Sequence, residues 1–121
     1  MRLDRDARAQ GPLIAGIVRG GFRVDYGVYR ALTLTPERAD AWTPPPLETL
    51  DVAAFEPLLA LDPQPEFVIL GTGATLRRPP RSLEAALPFG IEPMDSRAAA
   101  RAWGVLRAEQ RWIAAALYPL D

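Results

Sequence analysis

Hydrophobic and polar positions along the chain repeat first with the two-residue period of strands and later with the spacing of helices. Leu13-Ile14-Ala15-Gly16-Ile17-Val18 is followed by Arg19-Gly20-Gly21 and then by Phe22-Arg23-Val24-Asp25-Tyr26. Large and polar side chains alternate there, as in half-buried strands, and the glycine pair predicts a β-hairpin turning at Gly20-Gly21. Gly27 breaks the run. Val28 to Leu34 alternates again until Thr35-Pro36, which predicts a third strand. Val52, Phe55, Leu58, Leu59 and Leu61 lie near helical spacing, with Asp51 available as N-cap. Pro57 removes one backbone hydrogen bond there, so this helix is expected to be short or bent.

Phe67-Val68-Ile69-Leu70 is a continuous apolar run of the kind found in strands covered on both faces. After the loop Gly71-Thr72-Gly73, a helix is expected from about Ser82 to Leu87, a brief strand at Ile91 to Met94, and a helix capped by Asp95 that runs to about Ala108. Its predicted inner face is Ala98, Ala99, Ala102, Trp103 and Leu106, with Arg97, Arg101 and Arg107 toward solvent. Trp112 to Tyr118 reads as a final buried strand ended by Pro119. Three strands followed by β-loop-α-β-α-β make the class α/β with a mixed sheet. Residues 1–11 are polar and without period and read as a flexible arm, and residues 12–121 as one α/β domain.

Composition narrows the chemistry. With 121 residues, 49% of them apolar, the chain can bury one core and is too short for a two-domain cleft. All 14 basic residues are arginine, and with abundant Ala and Pro this points to a GC-rich, bacterial genome. The formal charge of −1 and the scatter of arginines from Arg2 to Arg111 give no basic stripe for nucleic acid. Cys, His and Lys are absent, which removes disulfides, thiol and Schiff-base chemistry, imidazole bases and the usual zinc sites. No metal, cofactor or catalytic residue is therefore assigned, and an enzyme is disfavoured. No run approaches the ~20 apolar residues of a membrane span, so a soluble, cytoplasmic protein is expected.

Two stretches carry candidate sites. A strand leading into Gly71-Thr72-Gly73 begins like a dinucleotide loop, but Leu76 stands where the third glycine belongs, and Arg77-Arg78-Pro79-Pro80 delays the helix. The remaining readings are a tight turn followed by solvated arginines, or an anion held by exposed loop NH groups with Arg77, Arg78 or Arg81. The second stretch is Trp42 with Pro44-Pro45-Pro46, read either as a covering loop pinned by Trp42 or as a partner surface with Tyr29 beside it. Glu109 and Arg111, ahead of the last strand, read as a structural clamp in which the guanidinium pairs with that carboxylate or with a C-terminal carbonyl.

The chain resembles the small uncharacterised domain family, domain of unknown function 498, that includes mitochondrial complex I assembly factor 3. Pro65-Glu66 and Gly71-Thr72-Gly73 match its "P-E-x-x-x-x-G-T-G" strand and loop. In its later segment Met94, Ala98, Arg101, Trp103, Leu106, Glu109 and Arg111 stand at motif positions. Gly104 replaces the usual Asn, Gln110 the usual Gly, and Asp95 the frequent Thr. The resemblance spans roughly residues 13 to 118 and implies a three-layer α/β fold with a five-stranded mixed central sheet and no established catalysis. It also implies protein partners, for the mitochondrial branch respiratory complex I subunits or assembly factors. The alternative is a small domain that binds an anionic ligand, or an enzyme, using the Gly71-Thr72-Gly73 loop.

Overall fold

The computed structural model describes residues 11–121. Of the expected arm at residues 1–11, only Gly11 falls among them. The chain forms β1 (Ile14–Val18), β2 (Gly21–Val24), β3 (Gly27–Tyr29), β4 (Leu32–Leu34) and β5 (Ala39–Ala41). Two short 3-10 turns, Leu47–Thr49 and Val52–Phe55, lead into α1 (Glu56–Leu59). The second half is β6 (Phe67–Gly71), α2 (Arg81–Ala86), β7 (Gly90–Met94), α3 (Ser96–Ala108) and β8 (Ala114–Leu117).

The strands make two sheets. β1-β2-β3 is an antiparallel three-stranded sheet, and β5-β4-β8-β6-β7 is the mixed central sheet, parallel where β6 lies between β8 and β7. One expectation is corrected here, because the single strand at Val28 to Leu34 is two strands in different sheets. Tyr29 pairs with Phe22, whereas Leu32 pairs with Leu117 and Ala41, and the chain crosses over at Arg30-Ala31. Gly21 makes that crossing possible. Its φ is +144°, and a Cβ there would lie 2.1 Å from the Tyr29 carbonyl oxygen, so only glycine lets the two backbones approach.

Period-two alternation divides the core between the two faces of the central sheet. Val68, Leu70, Ala114 and Ala116 point to one face, where Leu47, Leu50, Phe55, Leu58 and Leu83 cover them. Ile69, Ala115 and Leu117 point to the other, against Phe22, Val24, Ala99 and Trp103. The alanines of β8 are fully buried, and their small size lets both layers sit close to the sheet. α3 and the small sheet form the second outer layer, tied by the indole of Trp103, which donates to the Pro12 carbonyl at 2.9 Å.

Two local expectations also change. Asp51 makes no side-chain cap bond, and Pro57 lies in the first turn of α1, where a missing N–H breaks no helical bond. Arg107 is not toward solvent but 3% exposed. It follows Ser96, Ala99 and Trp103 along the buried stripe of α3, and its Nη1 donates to the Arg111 carbonyl at 2.7 Å. Burial holds its pKa below the ordinary arginine value.

Candidate functional site

The Gly71-Thr72-Gly73 loop is a junction between three elements. Its residues are buried, and its amides are engaged: Thr72 N–H donates to the Met94 carbonyl at 2.8 Å, and Gly73 N–H to Ser96 Oγ at 2.9 Å. The exposed NH groups expected of this loop are thus turned inward. Ser96 Oγ then donates to the Tyr118 carbonyl at 2.8 Å, so one hydroxyl joins the loop, the start of α3 and the end of β8. Gly71 is required beside it, since a Cβ there would lie 2.7 Å from Ser96 Oγ and 3.0 Å from Leu117 Cγ. The Thr72 hydroxyl closes the next turn, donating to the Thr75 carbonyl and accepting from Arg77 N–H at 3.0 Å.

The arginines that follow are exposed. Arg77 pairs with Glu48. Arg78 and Arg81 have no carboxylate partner among the described residues.

From this junction β8 leads to Tyr118, whose hydroxyl donates to the Pro45 carbonyl at 2.7 Å. Burial pushes the Tyr118 phenol up to about 12, with smaller opposing effects from Arg77 and Glu48. Trp42 stands beside it with ring centroids 5.2 Å apart at 76°, and 6.2 Å from Phe55 at 71°, both edge-to-face. The Trp42 indole donates to the Ala54 carbonyl at 2.9 Å. Trp42 and Tyr118, with Pro44 to Pro46 and Pro119, therefore wall a cleft of about 490 Å³. Among the described residues its lining holds no carboxylate and one guanidinium, that of Arg30. Tyr29 is not brought beside Trp42: it packs with Phe22 and Trp103 against the opposite face of the central sheet.

The two matched motifs meet at the other end of β6. Arg111 Nε and Nη2 donate to Glu66 Oε1 at 2.9 and 2.6 Å, and the guanidinium lies 5.8 Å from the centroid of the Phe67 ring. Glu66 N–H also donates to the Trp112 carbonyl at 2.8 Å. The hydrogen bond from Arg111 holds the Glu66 carboxyl below the usual carboxylate range. The expected clamp is corrected in its partner: Arg111 grips Glu66, while Glu109 ends α3 as an exposed cap residue. Met94 contributes its carbonyl to Thr72, and Arg101 is exposed on α3. Among the described residues no group of three His, Cys, Asp or Glu side chains is arranged to hold a metal ion.

Ser96 and Tyr118 were not singled out from the sequence. Ser96 looks like an ordinary first-turn residue behind the Asp95 cap, whose carboxylate does accept from Ala98 N–H at 2.8 Å. Tyr118 carried a usable signal, because a phenol at the end of a buried strand needs a hydrogen-bond partner.

Residues 14–118 match the family described as "Protein of unknown function (DUF498/DUF598)". An uncharacterised protein of Rhodobacter capsulatus is 36% identical over 111 residues, covering 88% of this chain and 84% of that one. The crystal structure of a protein from Bartonella henselae, described as an outer membrane protein, superimposes with a TM-score of 0.79 at 28% identity, over 92% of this chain and 97% of its own. A Bordetella pertussis protein described as an Mth938-like domain has the same fold, with a TM-score of 0.71 at 24% identity, over 91% of this chain and 87% of its own.

Proposed function

This chain belongs to the DUF498/DUF598 family, and from that premise we propose that it acts as a non-catalytic interaction or assembly module that holds a protein partner in the Trp42–Pro46 cleft. The observation that carries the proposal is the fixed, apolar character of that cleft. Pro44 to Pro46 have restricted φ angles, Tyr118 pins the Pro45 carbonyl, and Trp42 is locked by its own hydrogen bond and by two aromatic neighbours. A surface ordered before contact loses little entropy on binding, and a half-exposed tryptophan beside prolines suits an aliphatic or aromatic anchor from a partner. Among the described residues the lining offers no acid and base facing one another and no nucleophile paired with a base, which favours binding over catalysis.

The motif resemblance gives the partner a class, respiratory complex I subunits or their assembly factors. The alternative, an anion on the Gly71-Thr72-Gly73 loop, has weaker support, because the Thr72 and Gly73 amides are bonded internally and Arg77 is held by Glu48.

The test is partner recovery. The tagged protein and a variant with Pro44, Pro45 and Pro46 replaced by serines are expressed in the native cell, and the co-purified proteins are quantified by mass spectrometry. The variant is expected to keep the native circular dichroism spectrum, to lose a specific partner, and to lower the level of assembled NADH:ubiquinone oxidoreductase. A folded variant that recovers the same partners at the same level, with an unchanged oxidoreductase, contradicts the proposal.

A further inference from the structure

A second surface lies on the other side of the central sheet. β1 is an outer strand of the small sheet, so among the described residues one of its edges has no strand partner, and β1 also packs against α3. Two adjoining hollows of about 310 Å³ each share Ile17 and Arg97: the first lies between β1 and α3, and the second continues it past the Gly20-Gly21 turn to Arg30 and Asp121. Ile14 and Ile17 provide an apolar floor. Gly16 and Gly104 keep both walls low, because a Cβ at either position would meet no atom within 4 Å. The bulge between Ile14 and Gly16 leaves Gly16 to Val18 as the regular part of the edge, in step with Arg23, Phe22 and Gly21 of β2.

Charge adds a direction. Among the described residues Arg19, Arg30, Arg97 and Arg101 line the two hollows against one acidic side chain, Asp121, in a chain whose formal charge is −1. Asp121 pairs with Arg30, at 3.2 Å. Arg19, Arg97 and Arg101 have no carboxylate partner among the described residues. Arg97 and Arg101 stand one helical turn apart, so their guanidiniums follow the groove on one side while the strand edge follows it on the other.

We propose that the β1–α3 groove binds an extended acidic segment of a partner protein, which pairs its backbone with the free edge of β1 and sets its carboxylates on Arg97 and Arg101. An added strand satisfies the unpaired edge groups, as in other strand-addition complexes, and the absence of side chains at Gly16 and Gly104 lets its backbone come close. Every second side chain of such a segment faces the groove, where its carboxylates reach the arginines and its apolar groups rest on Ile14 and Ile17. This goes beyond the cleft at Trp42, which packs on the opposite core.

The experiment selects a phage-displayed library of random twelve-residue peptides on the immobilised domain, and measures synthetic copies of the most enriched peptides by fluorescence polarisation. Enriched peptides are expected to be acidic, with acidic and apolar residues sharing the groove-facing set of every second position, and the amide chemical-shift footprint on the protein to centre on residues 14–18 and 97–104. Charge reversal in Arg97→Glu/Arg101→Glu is expected to weaken binding by roughly tenfold or more, and Arg97→Gln/Arg101→Gln by less. Both arginines are exposed, so both variants are expected to fold. Enrichment without acidic bias, binding indifferent to both double variants, or a footprint elsewhere would overturn the proposal. So would recruitment by phosphatidylserine vesicles through these arginines with no acidic peptide recovered.

Discussion

Ser96→Ala isolates the junction beneath the proposed partner cleft. The side chain is fully buried, and its Oγ accepts from Gly73 N–H at 2.9 Å and donates to the Tyr118 carbonyl at 2.8 Å. Truncation removes one oxygen and strands two buried groups, each costing about 1–3 kcal/mol when left without a partner. Because the two groups share a site and relax together, the combined loss is expected at about 2–4 kcal/mol, a large part of a domain's typical ~5–15 kcal/mol. Urea unfolding followed by tryptophan fluorescence measures it, and with a slope of about 2 kcal/mol per molar the midpoint should fall by roughly 1–2 M with the slope unchanged. Hydrogen exchange at the Gly73 amide should accelerate in step. A loss below about 0.5 kcal/mol, the scale of an ordinary surface change, would refute the idea that this hydroxyl holds the loop, α3 and β8 together.

Three further substitutions probe Gly73, the Tyr118 hydroxyl and the Glu66–Arg111 pair. Gly73→Val forces a β-branched residue to φ +107° with its Cβ 3.3 Å from the Pro119 carbonyl oxygen, and is expected to cost on the order of 1–3 kcal/mol by urea unfolding; a fully stable variant would mean the loop is misread. Tyr118→Phe removes the bond to Pro45 and should cost about 0.5–1.5 kcal/mol. The raised phenol pKa adds a sign: its contribution is complete below the ordinary value near 10 and is lost as pH rises toward about 12, so alkaline titration of stability should be shallower in the phenylalanine variant, and identical alkaline limbs would count against it. Glu66 has the opposite sign, since its lowered carboxyl pKa gives stability that is present above the usual carboxylate value and is lost as pH falls through the folded one. Glu66→Gln should therefore flatten the acid limb of the urea midpoint between about pH 6 and about pH 3, and an unchanged limb would contradict the pairing with Arg111.

Elements whose pattern is local were legible in the sequence. Phe67 to Leu70 reads as a buried strand because both faces are covered, and Asp95 announces α3 because a cap bond spans only three residues. The break within Val28 to Leu34 was hidden, since neither Gly nor Pro marks Arg30-Ala31 and the only trace is a one-residue slip in the alternation between Arg30 and Thr33. Arg107 misled by type, because arginine is usually exposed, whereas its position one turn after Trp103 placed it on the buried stripe. The site contacts are non-local: Glu66 meets Arg111 across 45 residues and Tyr118 meets Pro45 across 73. No periodicity encodes such pairs. The motif resemblance put Glu66 and Arg111 in view without joining them, and only the sheet order of β6 beside β8 brings them together.

The central claim is that a protein partner occupies the Trp42–Pro46 cleft, and site-specific photo-crosslinking in the native cell tests it most directly. Pro46 is exposed at the cleft, so Pro46→p-benzoylphenylalanine places a reactive group there while Trp42, Pro45 and Tyr118 keep their contacts. Glu84, exposed on α2 and absent from the cleft lining, carries the same group as a control. Illumination is expected to give one discrete, heavier adduct from position 46 and none from position 84. A position 46 probe that stays uncrosslinked, or crosslinks as diffusely as the control, contradicts the account.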